Sequence, residues 1–414
     1  MPRTTPGYVS PDPQCYGDQQ WAPQKIDAPG AWSVTTGSSG VAIAVIDTGV
    51  DLGHDDLYNK MLSQTDYTGT GGTGDGCVGS PGYGHGTVTS GITAADTDNA
   101  EGVAGVGWDS LVRSYKVLET VQGVCVFGEN CGALAQAIQD AANQGVKVIN
   151  ISLRGCYQFG LAAEQEAINY AWYTKGVVVV ASAGNSYSNQ GVYPAGYDNV
   201  IAVGGTDAQD NRWVTCCEGS NAGTWVDISA PAASILSTSP QQGYAKWSGT
   251  SMASPHVAGV AALLASMGLN HCEIVNTILD PANVDPINWE GGVGRVNADE
   301  AVDNPKYLPW TVPAGDGDCD GFTSAHEITL GTDPEVACGF TPGGSGPPDS
   351  ASDTWPADIV ESNHVNVQDV LAVKPYFGQA IPPAPVRYDI VLSGNINSQD
   401  ALALSPFIGG PCTP

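Results

Sequence analysis

Five short apolar runs, near residues 41–46, 111–117, 146–151, 177–182 and 200–204, alternate along this chain with stretches of helical character. A run such as Val41-Ala42-Ile43-Ala44-Val45-Ile46 has no polar face, so a strand made from it must be covered on both sides. Strands of that kind pair in parallel and need helices as crossovers. The pattern therefore predicts a three-layer α/β sandwich: a mostly parallel sheet with helices on both faces. At 414 residues the chain is long enough for one large domain of this type plus small appendages.

The candidate chemistry sits where these runs stop. Asp47 follows the first run and Thr48-Gly49 turns the chain, which puts Asp47 at the carboxyl end of a strand, the edge where α/β active sites gather. His85 lies between two glycines that leave room for a substrate backbone, and Thr87 to Ile92 reads as helix. Ser251 opens the Ala-rich stretch 252–267, a long buried helix, so its own N–H is free to donate near the positive end of the dipole. A serine hydroxyl is a poor nucleophile until a histidine takes its proton, and the histidine needs a carboxylate to fix its tautomer. Asp, His and Ser are all present, in that order. Val177 to Asn185 supplies a buried strand, a small-residue bend and an amide that can act as an oxyanion donor. His256, on the serine's own helix, and His54 read as packed structural residues.

Taken together, these segments resemble the subtilisin-like serine proteases, or subtilases. Within that family the likeness is to thermitase-type enzymes, through Ala22-Pro23-Gln24-Lys25-Ile26, Ala28-Pro29-Gly30-Ala31-Trp32 and Gly294-Arg295-Val296-Asn297-Ala298. It covers roughly residues 10–303. The resemblance implies Asp47, His85 and Ser251 as a catalytic triad, with Asn185 in the oxyanion hole. It also implies one edge of the substrate groove at Ser152, Leu153, Arg154 and Gly155. Arg154 replaces a small residue there; it narrows the pocket or admits an acidic side chain, or else points to solvent. Val88 stands where relatives have a second histidine. The other groove edge follows Lys116-Val117-Leu118 and carries an insertion from Glu119 to Cys131, which Cys125 and Cys131 would close as a small disulfide loop. The segment Asp98 to Gly105 resembles the family's calcium loop. Asn99 would give a side-chain oxygen, Glu101 and Val103 backbone carbonyls, and Asp56 and Asp12 would complete the set; the alternative is a solvated turn.

Composition narrows partners and compartment. Forty-three acidic against fourteen basic residues give a formal charge of −29, which excludes the positive surface that nucleic acid requires. Such a balance suits a secreted protein in a calcium-rich or saline setting, and equally an ordinary acidic exoenzyme. No apolar span is long enough to cross a membrane. Met1 to Ser10 has no apolar core, so a mature form without signal peptide or pro-segment is expected. Eleven cysteines spread along the chain point to disulfides and an oxidising compartment, with the adjacent Cys216 and Cys217 expected to bond different partners.

The last third reads as small modules. Residues 1–303 form the catalytic domain, and 304–340 a proline-broken linker followed by a calcium module. Asp316, Asp318, Asp320, the Phe322 carbonyl and Glu327, with Gly321 at the turn, keep EF-hand spacing, and the run resembles a thrombospondin type 3 repeat. Residues 341–357 are a Gly/Pro linker. In 358–414 Asp358-Ile359-Val360 recurs as Asp389-Ile390-Val391, 31 residues on, in a pair resembling dockerin modules. Val360 and Val391 occupy ligand positions without a ligand, so the pair serves a protein partner or packs within the chain. The expectation is a secreted, calcium-stabilised serine endopeptidase acting on polypeptide substrates through an acyl-enzyme. The alternative is a non-catalytic adhesion or scaffold protein carried by the terminal modules.

Overall fold

Strand β1 (Ala42–Asp47) is covered on both faces, as its composition requires. Ala44 and Ile46 pack among Leu134, Ala137 and Ile138, while Val45 packs against Ala94 on the opposite side. The protein is described from a computed structural model over residues 20–308, apart from 72–73, 78–82, 122–123, 127–130 and 157–160. The chain divides into two units, Met1–Lys306 and Tyr307–Pro414, and the described residues fall almost entirely in the first. Asp12, the candidate calcium loop from Asp316 to Glu327 and the dockerin-like pair lie outside the described residues.

Along the chain the further strands are β2 (Met61–Asp66), β3 (Leu111–Lys116), β4 (Glu119–Val121), β5 (Val124–Val126), β6 (Val148–Ile151), β7 (Val178–Ser182), β8 (Val200–Thr206), β9 (Ile228–Pro231), β10 (Ile235–Ser239), β11 (Gly243–Trp247), β12 (Val284–Asp285) and β13 (Arg295–Val296). The helices are α1 (Trp21–Lys25), α2 (Ala28–Val34), α3 (Asp55–Tyr58), α4 (His85–Ala94), α5 (Ala133–Asn143), α6 (Ala162–Asn169), α7 (Thr250–Ser266), α8 (His271–Leu279) and α9 (Ala298–Asp303). Among the described residues the central sheet has nine strands in the order β12-β13-β9-β8-β7-β6-β1-β3-β2. Every pairing in it is parallel except β12 with β13. The five apolar runs of the sequence are thus β1, β3, β6, β7 and β8.

Helices α5 and α6 cover one face of the sheet, and α4 and α7 the other. The chain builds β2 and β3 on one side of β1 and then crosses to build β6, β7, β8 and β9 on the other. That reversal opens a crevice at the carboxyl ends of β1, β6 and β7. Segments far apart in sequence close the fold behind it: the Ala298 N–H donates to the Ile26 carbonyl at 2.7 Å, and Arg295 pairs with Asp210 and Asp285.

Helix α7 is buried almost all round and holds Pro255 one turn from its start. Proline has no N–H to give the carbonyl four residues back, that of Ser251. The Ser152 hydroxyl, at the end of β6, takes the missing donor's place at 2.8 Å. His256 donates from Nδ1 to the Met252 carbonyl at 2.7 Å, and burial pushes its imidazole down to about 4, so it is a neutral helix residue, as the sequence suggested. His54 caps α3, accepting from the Asp56 N–H, and is likewise structural. Val88 is fully buried with Ile92, Ile235 and Met252, so the missing histidine becomes part of an apolar cluster between α4 and α7.

The cysteines correct the sequence reading. Cys125 and Cys131 do not close a loop together; the disulfides are Cys77–Cys125 and Cys131–Cys156. The insertion folds back as the β4–β5 hairpin, which fixes Cys125 on a strand, while Cys131 lies in the turn into α5. Each bond therefore ties one flank of the crevice to a distant segment. Cys216 and Cys217 bond no other partner: both are exposed free thiols on a turn that meets no other cysteine among the described residues.

Gly259 of α7 faces Val106, and a Cβ there would lie 2.6 Å from Val106 Cβ and 3.1 Å from the Gly107 nitrogen. Alanine gains about 1 kcal/mol of helix propensity, but overpacking rigid atoms costs about 1–3 kcal/mol. Gly259→Ala should therefore lower stability in denaturant titration, and an increase would show that the contact is soft.

Candidate active site

Asp47, the last residue of β1, is buried, and its carboxylate faces the first residue of α4. His85 Nδ1 lies 2.8 Å from Asp47 Oδ1 and 2.9 Å from Oδ2. The Thr48 N–H and the Thr89 hydroxyl also donate to this carboxylate and fix its orientation. Burial alone would pull the imidazole down, yet the charge and hydrogen bond of Asp47, with a smaller contribution from Asp75, hold it above its ordinary value. The arrangement fixes the tautomer with Nε2 unprotonated in the neutral ring, the form of a general base. The Trp247 ring stands edge-on to the imidazole, with centroids 6.0 Å apart.

Ser251 lies in the first turn of α7 and is held by a reciprocal clamp with the end of β6. Its hydroxyl donates to the Ser152 carbonyl at 3.0 Å, and the Ser152 hydroxyl donates to the Ser251 carbonyl. Asn150 belongs to the same clamp: its Nδ2 donates to Ser152 Oγ, and its Oδ1 accepts from Ser254 one turn further along α7. The Ser251 hydroxyl is therefore directed at Ser152 and not at His85.

Asn185 follows β7. Its Oδ1 accepts from both the N–H and the hydroxyl of Thr250, at 2.9 and 2.8 Å, which turns Nδ2 outward as an unengaged donor beside Ser251. Gly249 makes the approach possible. Its φ of 146° is one that L side chains rarely adopt, and a Cβ would sit 3.2 Å from Asn185 Nδ2. A pocket opens beside these groups, lined by Leu153, Arg154, Gly184, Asn185, Val192 and Ser251 among others. Arg154 is exposed on its rim, with no acidic partner among the described residues. Gly155 is buried against Glu164, the carboxylate that accepts from the Tyr197 hydroxyl at 2.6 Å.

Sequence reading missed Asp75. Thr48 Oγ1 donates to its Oδ1 at 2.6 Å, while the Thr87 N–H and hydroxyl donate to its Oδ2 at 3.0 and 2.5 Å. Thr48 follows Asp47 and Thr87 lies two residues beyond His85, so Asp75 bolts together the two segments that carry the pair. Burial outweighs these bonds and, with the Asp47 charge, pushes its carboxyl up to about 6. Its one signal in the sequence is that it is the sole carboxylate in the glycine-rich stretch 69–84.

Away from the crevice, Asp56, Asn99, Glu101 and Val103 do meet. Asn99 Nδ2 donates to Asp56 Oδ1 and the Val103 N–H to Oδ2, both at 2.9 Å, while the Glu101 N–H donates to Asn99 Oδ1. A buried carboxylate beside an amide that can turn its oxygen inward is a donor set that suits calcium. Among the described residues no cluster of three or more acidic, histidine or cysteine side chains that could hold a metal is found, and Asp12 lies outside them.

Comparison with known proteins agrees with this geometry. Residues 38–294 match the subtilase family. Thermitase of Thermoactinomyces vulgaris is 43% identical over 298 residues, covering 71% of this chain and 99% of the relative. The halolysin-like extracellular serine protease Nep of Natrialba magadii is 35% identical over 356 residues, covering 83% of this chain and 62% of the relative. A solved protease from Pseudoalteromonas arctica PAMC 21717 superposes with a TM-score of 0.62 at 29% identity, covering 72% of this chain and 99% of that one. The family match over residues 38–294 and the 43% identity to thermitase, on a sheet that reverses direction at β1, place this chain in the subtilase family as a subtilisin-like serine endopeptidase.

Proposed function

We propose that Asp47, His85 and Ser251 act as the catalytic triad of a secreted endopeptidase that cleaves extended polypeptides through an acyl-enzyme. The observation that carries this reading is the Asp47–His85 pair at the start of α4, a helix packed against α7, with Asn185 Nδ2 open beside Ser251. The Ser251 hydroxyl turns from Ser152 to His85 Nε2, gives up its proton and attacks the scissile carbonyl. The Ser251 N–H and Asn185 Nδ2 receive the oxyanion. His85 then returns the proton to the leaving amine, and water, activated by the same imidazole, releases the acid product. The segment 152–155 forms one wall of the groove.

Calcium completes the reading. Asp56, Asn99 and the carbonyls of Glu101 and Val103, with Asp12, would tie the loop to the body of the domain and limit self-digestion. Asp316, Asp318, Asp320, Phe322 and Glu327 would hold a second ion in the C-terminal module, and the dockerin-like pair would serve attachment. The charge of −29 and the extracellular relative support a secreted protein, and among the described residues no helix is long and apolar enough to cross a membrane.

Four outcomes are expected. Ser251→Ala should lose casein hydrolysis by about 10⁶-fold while remaining folded, and a chelator should shorten the lifetime of the native enzyme. Equal activity in folded native and Ser251→Ala chains would end the triad assignment.

Arg154 on the pocket rim should favour an acidic side chain in the substrate. Because the cation is exposed, the preference should be about fivefold or less. Peptide-library profiling should show it lost in Arg154→Gly, and an unchanged profile removes the role.

Asp75→Asn should shift the acid limb of the kcat/KM profile. The Asp75 charge favours the imidazolium, so its removal lowers the His85 pKa and extends activity to lower pH. One of the three hydrogen bonds is also lost, at a cost of about 1–3 kcal/mol in stability. A stability loss with an unmoved acid limb would make Asp75 purely structural.

A further inference from the structure

Cys216 and Cys217 stand apart from the other described cysteines. Cys77, Cys125, Cys131, Cys156 and Cys272 are all disulfide-bonded, whereas these two neighbours are exposed thiols with their sulfurs 3.3 Å apart. They occupy a turn closed by the Thr215 N–H, which donates to the Glu218 carbonyl at 2.6 Å, and by Thr215 Oγ1, which accepts from the Glu218 N–H. Val214 and Gly219 pair across its base.

That base abuts the candidate oxyanion donor. The Gly219 N–H donates to the Asn185 carbonyl at 3.1 Å, and the Gly219 carbonyl accepts from the Tyr187 N–H at 2.9 Å. Asn221, two residues further, accepts the Ser186 and Ser188 N–H groups on its Oδ1 and donates to the Ala183 carbonyl. The segment after β7 is thus hydrogen-bonded on both sides of Asn185 to the strand running out of the dithiol turn. Arg212 stacks on the Tyr187 ring at 3.9 Å, which stiffens the connection.

We infer that Cys216 and Cys217 form a reversible thiol–disulfide site, closed by small disulfides such as glutathione disulfide, whose closure is transmitted through Gly219 to Asn185. One thiolate of the pair attacks the small disulfide, forms a mixed disulfide and expels one thiolate of the reagent. The second cysteine's thiolate then attacks the protein sulfur of that mixed disulfide, closes the ring between the neighbours and expels the second thiolate. The two protons of the cysteines end on the two reagent thiols, and the pair of electrons reduces the reagent. Adjacent Cα atoms lie about 3.8 Å apart, short of the roughly 4.4–6.8 Å usual across a disulfide, so the closed ring is strained and readily reopened. Closing it must draw the sulfurs to about 2.05 Å and rotate the intervening peptide, which the hydrogen-bonded turn passes to Gly219.

The consequence for turnover rests on Asn185 acting as proposed above; formation of the ring does not. In the test, full-length protein kept in reduced glutathione is treated with glutathione disulfide. The peptide bearing both cysteines is weighed, and kcat and KM are measured on a chromogenic peptide amide. The expected result is a loss of two hydrogens with no adduct, a several-fold fall in kcat with KM little changed, and full recovery in reduced glutathione. Cys217→Ala should stop at the glutathione adduct, and the Cys216→Ala/Cys217→Ala double variant should keep basal activity and ignore the reagent. A persistent adduct in the native chain, a ring that reduced glutathione cannot reopen, or a ring that leaves kcat unchanged would each overturn the inference. If the reduced enzyme cleaves nothing, the protease reading fails and transmission to Asn185 with it, while the peptide mass still decides whether the ring forms.

Discussion

The crevice exists because β1 has no polar face. A strand of that composition is stable only between two helical layers, and helical layers on both sides of a parallel sheet force the chain to cross over after each strand. When the direction of crossing reverses at β1, the connections leave the sheet on opposite sides and the strand ends stay uncovered. Asp47, Ser152 and Asn185 all lie at those ends. None of the three touches the others in sequence, yet one requirement for burial gathers them.

The start of α7 is the second element on which the site depends. Pro255 removes the donor that the Ser251 carbonyl would otherwise receive, and Ser152 supplies it from β6. The vacancy in the helix ladder thus becomes a tether that sets the serine against the sheet edge. Thr250, one residue earlier, spends both its donors on Asn185 Oδ1. A single helix terminus therefore places the hydroxyl, frees its own N–H and aims the side-chain amide. Asp75 does a comparable job on the other side, bonding Thr48 and Thr87 and so fixing how Asp47 meets His85. Preorganisation of this kind is what a developing oxyanion and a transferring proton require.

Charge and thiol chemistry act further out. The exposed Arg154 is a cation in a chain dominated by carboxylates, set on the rim of the pocket. Each disulfide that flanks the crevice joins it to a segment far along the chain, which constrains the unfolded ensemble more than a short loop would. The neighbouring free thiols lie on a turn whose base reaches Asn185, so their chemistry is coupled to the site although they lie outside it.

The sequence alone marked five strands of the central sheet and their burial, and singled out Asp47, His85, Ser251 and Asn185 as candidates. Continuous apolar runs and fixed neighbours such as Gly84-His85-Gly86 are local properties, and local properties are written in order along the chain. Tertiary structure decided what depends on meetings between distant segments. Asp75 could be recognised only when Thr48 and Thr87 were seen to converge on it. Ser152, read as a groove wall, proved also to complete the hydrogen bonding of a helix beginning almost a hundred residues later. Disulfide partners likewise escaped the sequence, because Cys125 and Cys131 are near neighbours on the chain but are carried to different partners by a hairpin and a helix start. Hydrophobic patterning specifies where the backbone is buried. Which side chains then face one another is set by how the buried layers pack.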